Sequence, residues 1–177
     1  MIVTVTPNPS TDRTVTLSAA LTRGAVHRVS SVSSEPGGKG VNVARALTLA
    51  GLDAIAVLPA APADPFLTLL TAAGVPAAPV PVRGAVRTNL AITEPDGTTT
   101  KLNEPGARLD GAELDALSAA VLERAAAASG VVLSGSLPPG VPDDWYARVV
   151  ARLRALDCRV AVDTSDAPLA ALAAAFD

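Results

Sequence analysis

"LDGAELDALSAAVLERAAAASGVVLSGSLPPGVPDDWYARVVARLRALDCRVAVDTSDAPLAALAAAFD" occupies residues 109–177, and its rhythm decides the fold. Asp110 with Glu113 three residues on is close to a capping box, and Leu114, Leu117 and Val121 then form an apolar stripe, so 109–129 reads as a helix. The run 130–136 is short, apolar and β-branched, which predicts a buried strand. Residues 141–157 return to helical spacing, with Pro142 and acidic residues at the start and Trp145, Val149 and Leu153 facing the core. A strand over 158–165 and a helix over 166–177 follow. Helix, strand, helix, strand, helix predicts an α/β fold with a mostly parallel sheet flanked by helices on both faces.

The first half adds to that sheet. "MIVTV" at 1–5 and "DAIAVLP" at 53–59 read as buried strands. Residues 40–50 read as a helix with Val43, Ala46, Leu47 and Ala50 on one face and Gly51 as its stop. Residues 64–74 read as a short helix with Asp64 as cap and Pro65 in the first turn. Residues 12–17 and 26–33 alternate polar and apolar, as do the segments within 87–103 around the turn Pro95-Asp96-Gly97. Strands with one wet face do not belong in a doubly covered sheet, so the segments near 12–33 and 87–103 are expected to form a small β lid on a single domain spanning 1–177.

Composition excludes several classes. The chain has 177 residues and is 49% hydrophobic and 18% charged, unlike a disordered chain. Its formal net charge of −3 offers no basic footprint for nucleic acid. It has no apolar run long enough to span a membrane and no secretory leader pattern, so a cytoplasmic protein without membrane or nucleic-acid partners is expected. The single cysteine, Cys158, reads as a buried apolar side chain. Aromatic residues make up 2% of the chain, so Ala, Val and Leu must build the core.

Ligands of open α/β sheets sit at the carboxyl ends of the strands. The polar residues there are Asn8 and Asp12, Ser134 to Ser136, and Asp163. The sharpest local signal is "EPGGKGVN" at 35–42. Its glycines let backbone approach a ligand, the helix that follows presents free N–H groups to an anion, and Lys39 adds a point charge with Asn42 in the first turn. It is not a Walker A loop, because Ser33 stands where that pattern needs glycine and Gly40 where it needs Ser or Thr. Arg87, in the cluster "RTN", suits a phosphomonoester better than Arg83 or Arg28. His27 has no neighbouring acid or thiol and is no candidate base, and "SGSLPPG" is not a nucleophile elbow.

"TVTPNPSTDRTV" at 4–15, "PGGKGVNVARAL" at 36–47, "VRTNLAI" at 86–92, "KLNEPG" at 101–106, "LSGSLPPGVP" at 133–142 and "VDTS" at 162–165 occur in this order. Together they resemble the ribokinase-like sugar kinases, and within them the 1-phosphofructokinase and tagatose-6-phosphate kinase branch. The resemblance implies phosphoryl transfer from ATP with Mg²⁺ to a hydroxyl of a sugar phosphate, turning fructose 1-phosphate into fructose 1,6-bisphosphate. It implies that Asp12 binds sugar hydroxyls, that Gly38, Lys39 and Asn42 surround the sugar phosphate, that Arg87 reaches the phosphate from the lid, that Asn103 and Ser136 line the cleft, and that Asp163 lies on the Mg²⁺–ATP side. It also implies homodimers joined through the lid.

Two features depart from the family pattern. "PAAPAD" at 59–64 replaces a glycine-rich turn. Related enzymes also continue past the helix at 166–177 with an N-x-x-E strand and a G-A-G-D loop that carries the catalytic Asp, and neither motif is present. The expectation is therefore the N-terminal, sugar-phosphate-binding portion of a kinase, with the catalytic Asp and the rest of the sheet beyond residue 177, inactive alone and poorly soluble. The competing readings are a non-catalytic sugar-phosphate-binding or regulatory module and a dinucleotide-dependent oxidoreductase. The latter is disfavoured because no G-x-G-x-x-G follows the first strand.

Overall fold

Two sheets divide the strands by their hydrophobic pattern. The computed structural model describes residues 1–156 and 158–176. Asp157 and Asp177, expected at the ends of the last two helices, lie outside the described residues. The continuous apolar runs β1 (Ile2–Val5), β4 (Ala54–Ala60), β8 (Gly130–Ser134) and β9 (Arg159–Asp163) form a parallel sheet with one further strand, β5 (Ala77–Pro81), in the order β5-β4-β1-β8-β9. The polar-rich runs β2 (Ser10–Leu17), β3 (Val29–Gly37, which starts later than the expected 26–33 and does not alternate), β6 (Arg87–Thr93) and β7 (Thr99–Asn103) form a second sheet, ordered β3-β2-β6-β7. Parallel strands buried on both faces need no polar side, whereas a layer with one wet face must alternate. Strand β5 escapes the sequence pattern because Pro79 and Pro81 demote a run to an edge, and an edge is where β5 lies.

Helices pack on both faces of the first sheet. α1 (Lys39–Leu49) and α2 (Pro65–Ala72) pack on the side built by Ala56, Leu58, Phe66 and Leu70. They reach across β5, β4 and β1; beside β8 and β9 that face is open, with Val132 half-buried and Ala161 exposed. α3 (Gly111–Ala125), α4 (Trp145–Leu153) and α5 (Asp166–Phe176) lie with the larger cluster around Val3, Val5, Leu117, Leu133 and Trp145. The helix starts follow their caps. Asp64 accepts from the Phe66 N–H at 2.9 Å, and Asp110 and Glu113 close a full capping box. Those backbone N–H donors hold the Asp110 and Glu113 carboxyls below the usual carboxylate range.

Two expectations need correction. The buried face of α1 is Gly40, Val41 and Ala44, not Val43, Ala46, Leu47 and Ala50. Gly40 lies so close to the end of β1 that it turns its own side of the helix inward, and Leu49 is left 80% exposed. The fourth helix begins at Trp145, because Pro142 sits in a turn whose carbonyl accepts the Trp145 N–H at 3.0 Å. Trp145 itself is core as expected, 2% exposed, with its indole N–H donating to Ser118 Oγ at 2.9 Å. Cys158 is half-buried and packs against the larger cluster.

Candidate functional site

Strand order reverses at β1. From it the chain moves outward through β4 and β5 on one side, and through β8 and β9 on the other. The crevice of an open α/β sheet lies at the carboxyl ends of the strands at such a switch point. Here those ends are Thr6 to Asn8 after β1 and Ser134 to Ser136 after β8. Thr6 and Ser134 are each 1% exposed, and their hydroxyls have no protein partner. Asn8, 6% exposed, donates to the Pro105 carbonyl at 3.1 Å and to Ser136 Oγ at 3.3 Å. One asparagine thus pins the loop leaving the second sheet to the loop leaving β8.

The turn after β8 is held from below. Tyr146, fully buried, donates to the Gly135 carbonyl at 2.9 Å, and Thr164 donates to the same oxygen at 3.1 Å. Burial, and secondarily the Asp163 charge, push the Tyr146 phenol well above its ordinary value. The folded state therefore disfavours the phenolate. Its contribution to stability is full below about pH 10 and is lost above it, by ~1.4 kcal/mol per pH unit. Tyr146 is the only tyrosine of the chain, so Tyr146→Phe is expected to remove that part of the alkaline slope. Melting temperatures of both proteins between pH 9 and 11 check this; parallel curves would refute it.

The glycine-rich loop closes on the same crevice. Gly38 has φ 109° and ψ 138°, and a Cβ there would lie 2.6 Å from Thr6 Cγ2. A Cβ on Gly40 would lie 2.7 Å from the Val5 carbonyl oxygen. These contacts seat the first turn of α1, with Lys39 and the exposed Asn42, on the end of β1. Lys39 does not stay on its own side. Its Nζ lies 3.0 Å from Asp163 Oδ1 at the end of β9, spanning the mouth between residues 124 positions apart. The family resemblance implies different sides of the cleft for these two, and the tertiary structure makes them an ion pair.

The second sheet presents its polar face. Ser10 is paired with Arg87 and Asp12 with Asn89 across β2 and β6, and Asn89 with Asn103 and Ala91 with Lys101 across β6 and β7. Paired positions share a face, so Asp12, Arg87, Asn89, Asn103 and Lys101 project together. Asp12, Asn89, Lys101 and Asn103 line a concave surface of about 390 Å³. The Asp12 carboxylate accepts from Ser10 Oγ at 2.7 Å and from Asn89 Nδ2 at 3.2 Å, and it lies so close to Gly37 that a side chain there would collide with it. Arg87 donates through Nη1 to the Glu104 carbonyl at 2.9 Å, while its Nε is buried without a partner. Burial pushes its guanidinium below the ordinary value, partly offset by the carboxylates of Asp12 and Glu104.

Ser136 opens onto a separate hollow with Asp143 and Asp166, and joins the others only through Asn8. Arg83 is drawn away from the cleft, paired with Asp110 and Glu113 of the capping box. His27 lies in the loop beyond β2, accepting from the Thr22 N–H at 3.0 Å. Sequence reasoning missed Asn89 and Lys101. The signal was available in "RTN", where period 2 puts Arg87 and Asn89 on one face, and in Lys101, the second of the chain's lysines.

This arrangement, a parallel sheet flanked by helices with a separate four-stranded β layer, is that of an α/β protein of the sugar-kinase type. The sequence matches the pfkB family of carbohydrate kinases over residues 6–176, and the chain belongs to that family. It is 44% identical over 177 residues to the 1-phosphofructokinase of Xanthomonas campestris pv. campestris, an alignment covering 98% of this chain and 55% of that protein. The structure superimposes with a TM-score of 0.90 on Escherichia coli phosphofructokinase-2 in complex with fructose-6-phosphate, at 33% identity, covering 98% of this chain and 58% of that one. The tetrameric inhibited form of the same enzyme matches with a TM-score of 0.89 at 34% identity, covering 98% and 57%. The chain thus spans about half the length of the relatives it matches.

Proposed function

We propose that this chain supplies the acceptor side of an ATP-dependent ketohexose-phosphate kinase, with fructose 1-phosphate as acceptor. The observation that carries the reading is the shared face of Asp12, Asn89 and Arg87, with Asp12 packed against Gly37 at the start of the glycine-rich loop. A carboxylate and amides suit sugar hydroxyls, and a guanidinium with a free buried N–H suits a phosphate. Asn103 lines the same surface as Asp12; Gly38, Lys39 and Asn42 border it from the glycine-rich loop; and Ser136 joins it through Asn8. The name of the Xanthomonas relative supports fructose 1-phosphate over its 6-phosphate isomer.

Mg²⁺ fits this chain at one ligand only. Asp163 is a solvent-open carboxylate at a strand end, and among the described residues no group of three acids, histidines or cysteines could cage a cation. That matches an ion that keeps most of its waters and binds mainly through substrate phosphates. When bound it would neutralise charge on the transferring phosphoryl group. The residues of this chain orient the acceptor: Asp12 holds hydroxyls, Arg87 fixes the phosphate end, and Lys39 keeps positive charge at the mouth.

Calorimetry with fructose 1-phosphate, fructose and inorganic phosphate tests the reading. Fructose 1-phosphate is expected to bind at least tenfold tighter than either part alone, since both ends of the ligand are read. Equal or absent binding would overturn the proposal. Turnover with ATP by the 177-residue chain would overturn the assignment to the acceptor side alone.

Self-association belongs to the same proposal. The other face of the second sheet carries Val15, Val32, Leu90, Ile92 and Leu102, with Val32 46% and Leu102 56% exposed; Val15, Leu90 and Leu102 line a hollow of about 670 Å³, rimmed by Arg13 and Glu104. An apolar face of this kind marks a contact surface, and the tetrameric relative supports self-assembly. Leu102→Glu is expected to shift the chain toward monomer in sedimentation equilibrium; an unchanged mass distribution would remove this surface from the proposal.

A further inference from the structure

The Lys39–Asp163 pair is too exposed to hold the fold. The two side chains are 55% and 60% exposed, and solvent-exposed ion pairs contribute little to stability. Yet its placement is tightly constrained. Lys39 stands between Gly38, whose φ of 109° admits only glycine with ease, and Gly40, which has no room for a side chain against the Val5 carbonyl. On the other side, the Asp163 carbonyl accepts the Gly135 N–H at 2.9 Å, which fixes the end of β9 beside the turn after β8. The Gly135 carbonyl is held in turn by Tyr146 and Thr164. Two rigid backbones therefore present a weak pair across the switch point of the sheet.

The choice of cation is informative. Of 14 Lys and Arg, only Lys39 and Lys101 are lysine. An arginine would lock onto a carboxylate with two parallel hydrogen bonds, whereas an ammonium is a point charge that changes partners readily. A divalent cation bound to a polyphosphate carries both signs of charge. It can split such a pair without leaving either member uncompensated.

We propose that Lys39 and Asp163 form an exchangeable pair: an incoming nucleoside triphosphate takes the Lys39 ammonium, and the freed Asp163 carboxylate takes the divalent cation that accompanies it. This rests on the kinase reading, but it concerns the donor rather than the acceptor. It also moves Lys39 from the surroundings of the sugar phosphate to the boundary between the two substrates. In the resting protein each member competes with the other's ligand, so a lone cation and a metal-free polyphosphate each bind more weakly than they would to an unpaired partner.

The proposal has a signature in binding alone. Lys39→Met removes the competitor of the metal, so Mn²⁺ alone is expected to bind about fivefold tighter, the scale of an exposed pair; metal-free ATP is expected to bind more weakly. Asp163→Asn should do the reverse, abolishing the Mn²⁺ site and tightening metal-free ATP by a similar factor. A pair that merely ties α1 to β9 would give neither crossed gain. Mn²⁺ binding is read by water-proton relaxation and ATP binding by calorimetry. Trp145 fluorescence and melting temperature confirm that each variant is folded, and Lys39→Arg serves as a second variant that keeps the charge but strengthens the pair, lowering both affinities. The crossed pattern supports the proposal. Unchanged or reduced Mn²⁺ affinity in Lys39→Met, unchanged ATP affinity in Asp163→Asn, or no detectable Mn²⁺ and ATP binding by the parent chain each overturn it. Fructose 1-phosphate titration of the same samples separates the two readings: if it fails while the crossed pattern holds, the acceptor assignment falls and the exchangeable pair stands.

Discussion

Replacing Arg87 by methionine is expected to weaken fructose 1-phosphate binding by about 100-fold, the scale of losing one member of a hydrogen-bonded charge pair, with the melting temperature lowered by only about 2–4 °C. The two halves of this expectation have one cause. Arg87 is a partly buried guanidinium whose Nε meets no protein acceptor and whose desolvation outweighs the pull of Asp12 and Glu104. Its charge therefore does little for folding. Methionine keeps much of its apolar stem, and the lost donor to the Glu104 carbonyl is the main structural cost, about 1 kcal/mol. A phosphate would supply what the protein does not. Arg87→Lys separates charge from geometry: it retains the cation but not the fork, and is expected to lose about tenfold of the affinity. Calorimetry and thermal unfolding of both variants provide the check. A large fall in melting temperature with affinity unchanged would mean that Arg87 is structural.

Gly38→Ala is expected to cost stability and binding together. The residue sits in a region of backbone space that is open essentially only to glycine, which costs alanine about 1–3 kcal/mol. The added methyl would also meet Thr6 Cγ2 at 2.6 Å. Relief requires the chain to lift off the end of β1, and Lys39 and the first turn of α1 move with it. Denaturant unfolding should show the loss. Fructose 1-phosphate affinity should fall at least tenfold in the fraction that remains folded. Thr6→Ser removes the opposing methyl, so the double variant should recover part of the clash but none of the backbone strain. Full recovery would show that the methyl contact, not the φ of Gly38, makes glycine necessary.

Much of this was legible in the residues. Apolar β-branched runs gave β1, β4, β8 and β9, although β9 ends up at an open sheet edge with no buried residue, and alternation gave β2 and β6, because a strand's two faces meet different solvents. Caps marked α2 and α3, since Asp64 and Asp110 satisfy N–H groups that any helix leaves open. Arg87 and Asp12 were visible as charges in otherwise alternating strands. Asn89 and Lys101 were less visible, because a polar residue on a wet face looks like ordinary solvation until the register sets it beside Asp12 or Asn103. The buried face of α1 was misread for a related reason. Its own periodicity favoured Val43 and Leu47, but the close seat of Gly40 on Val5 set the rotation of the helix.

Local chemistry thus determined the element types, the caps, the separation into two sheets and the family, all of which depend on short-range pattern. Tertiary structure alone decided three things: the reversal of strand order at β1, the common face of Asp12, Arg87 and Asn89, and the contact of Lys39 with Asp163. Each joins residues distant in sequence, and the last pair is 124 positions apart. No spacing rule reaches across such a distance. What brings them together is the burial of apolar strands on both faces, which orders the sheet and carries its polar ends to one mouth.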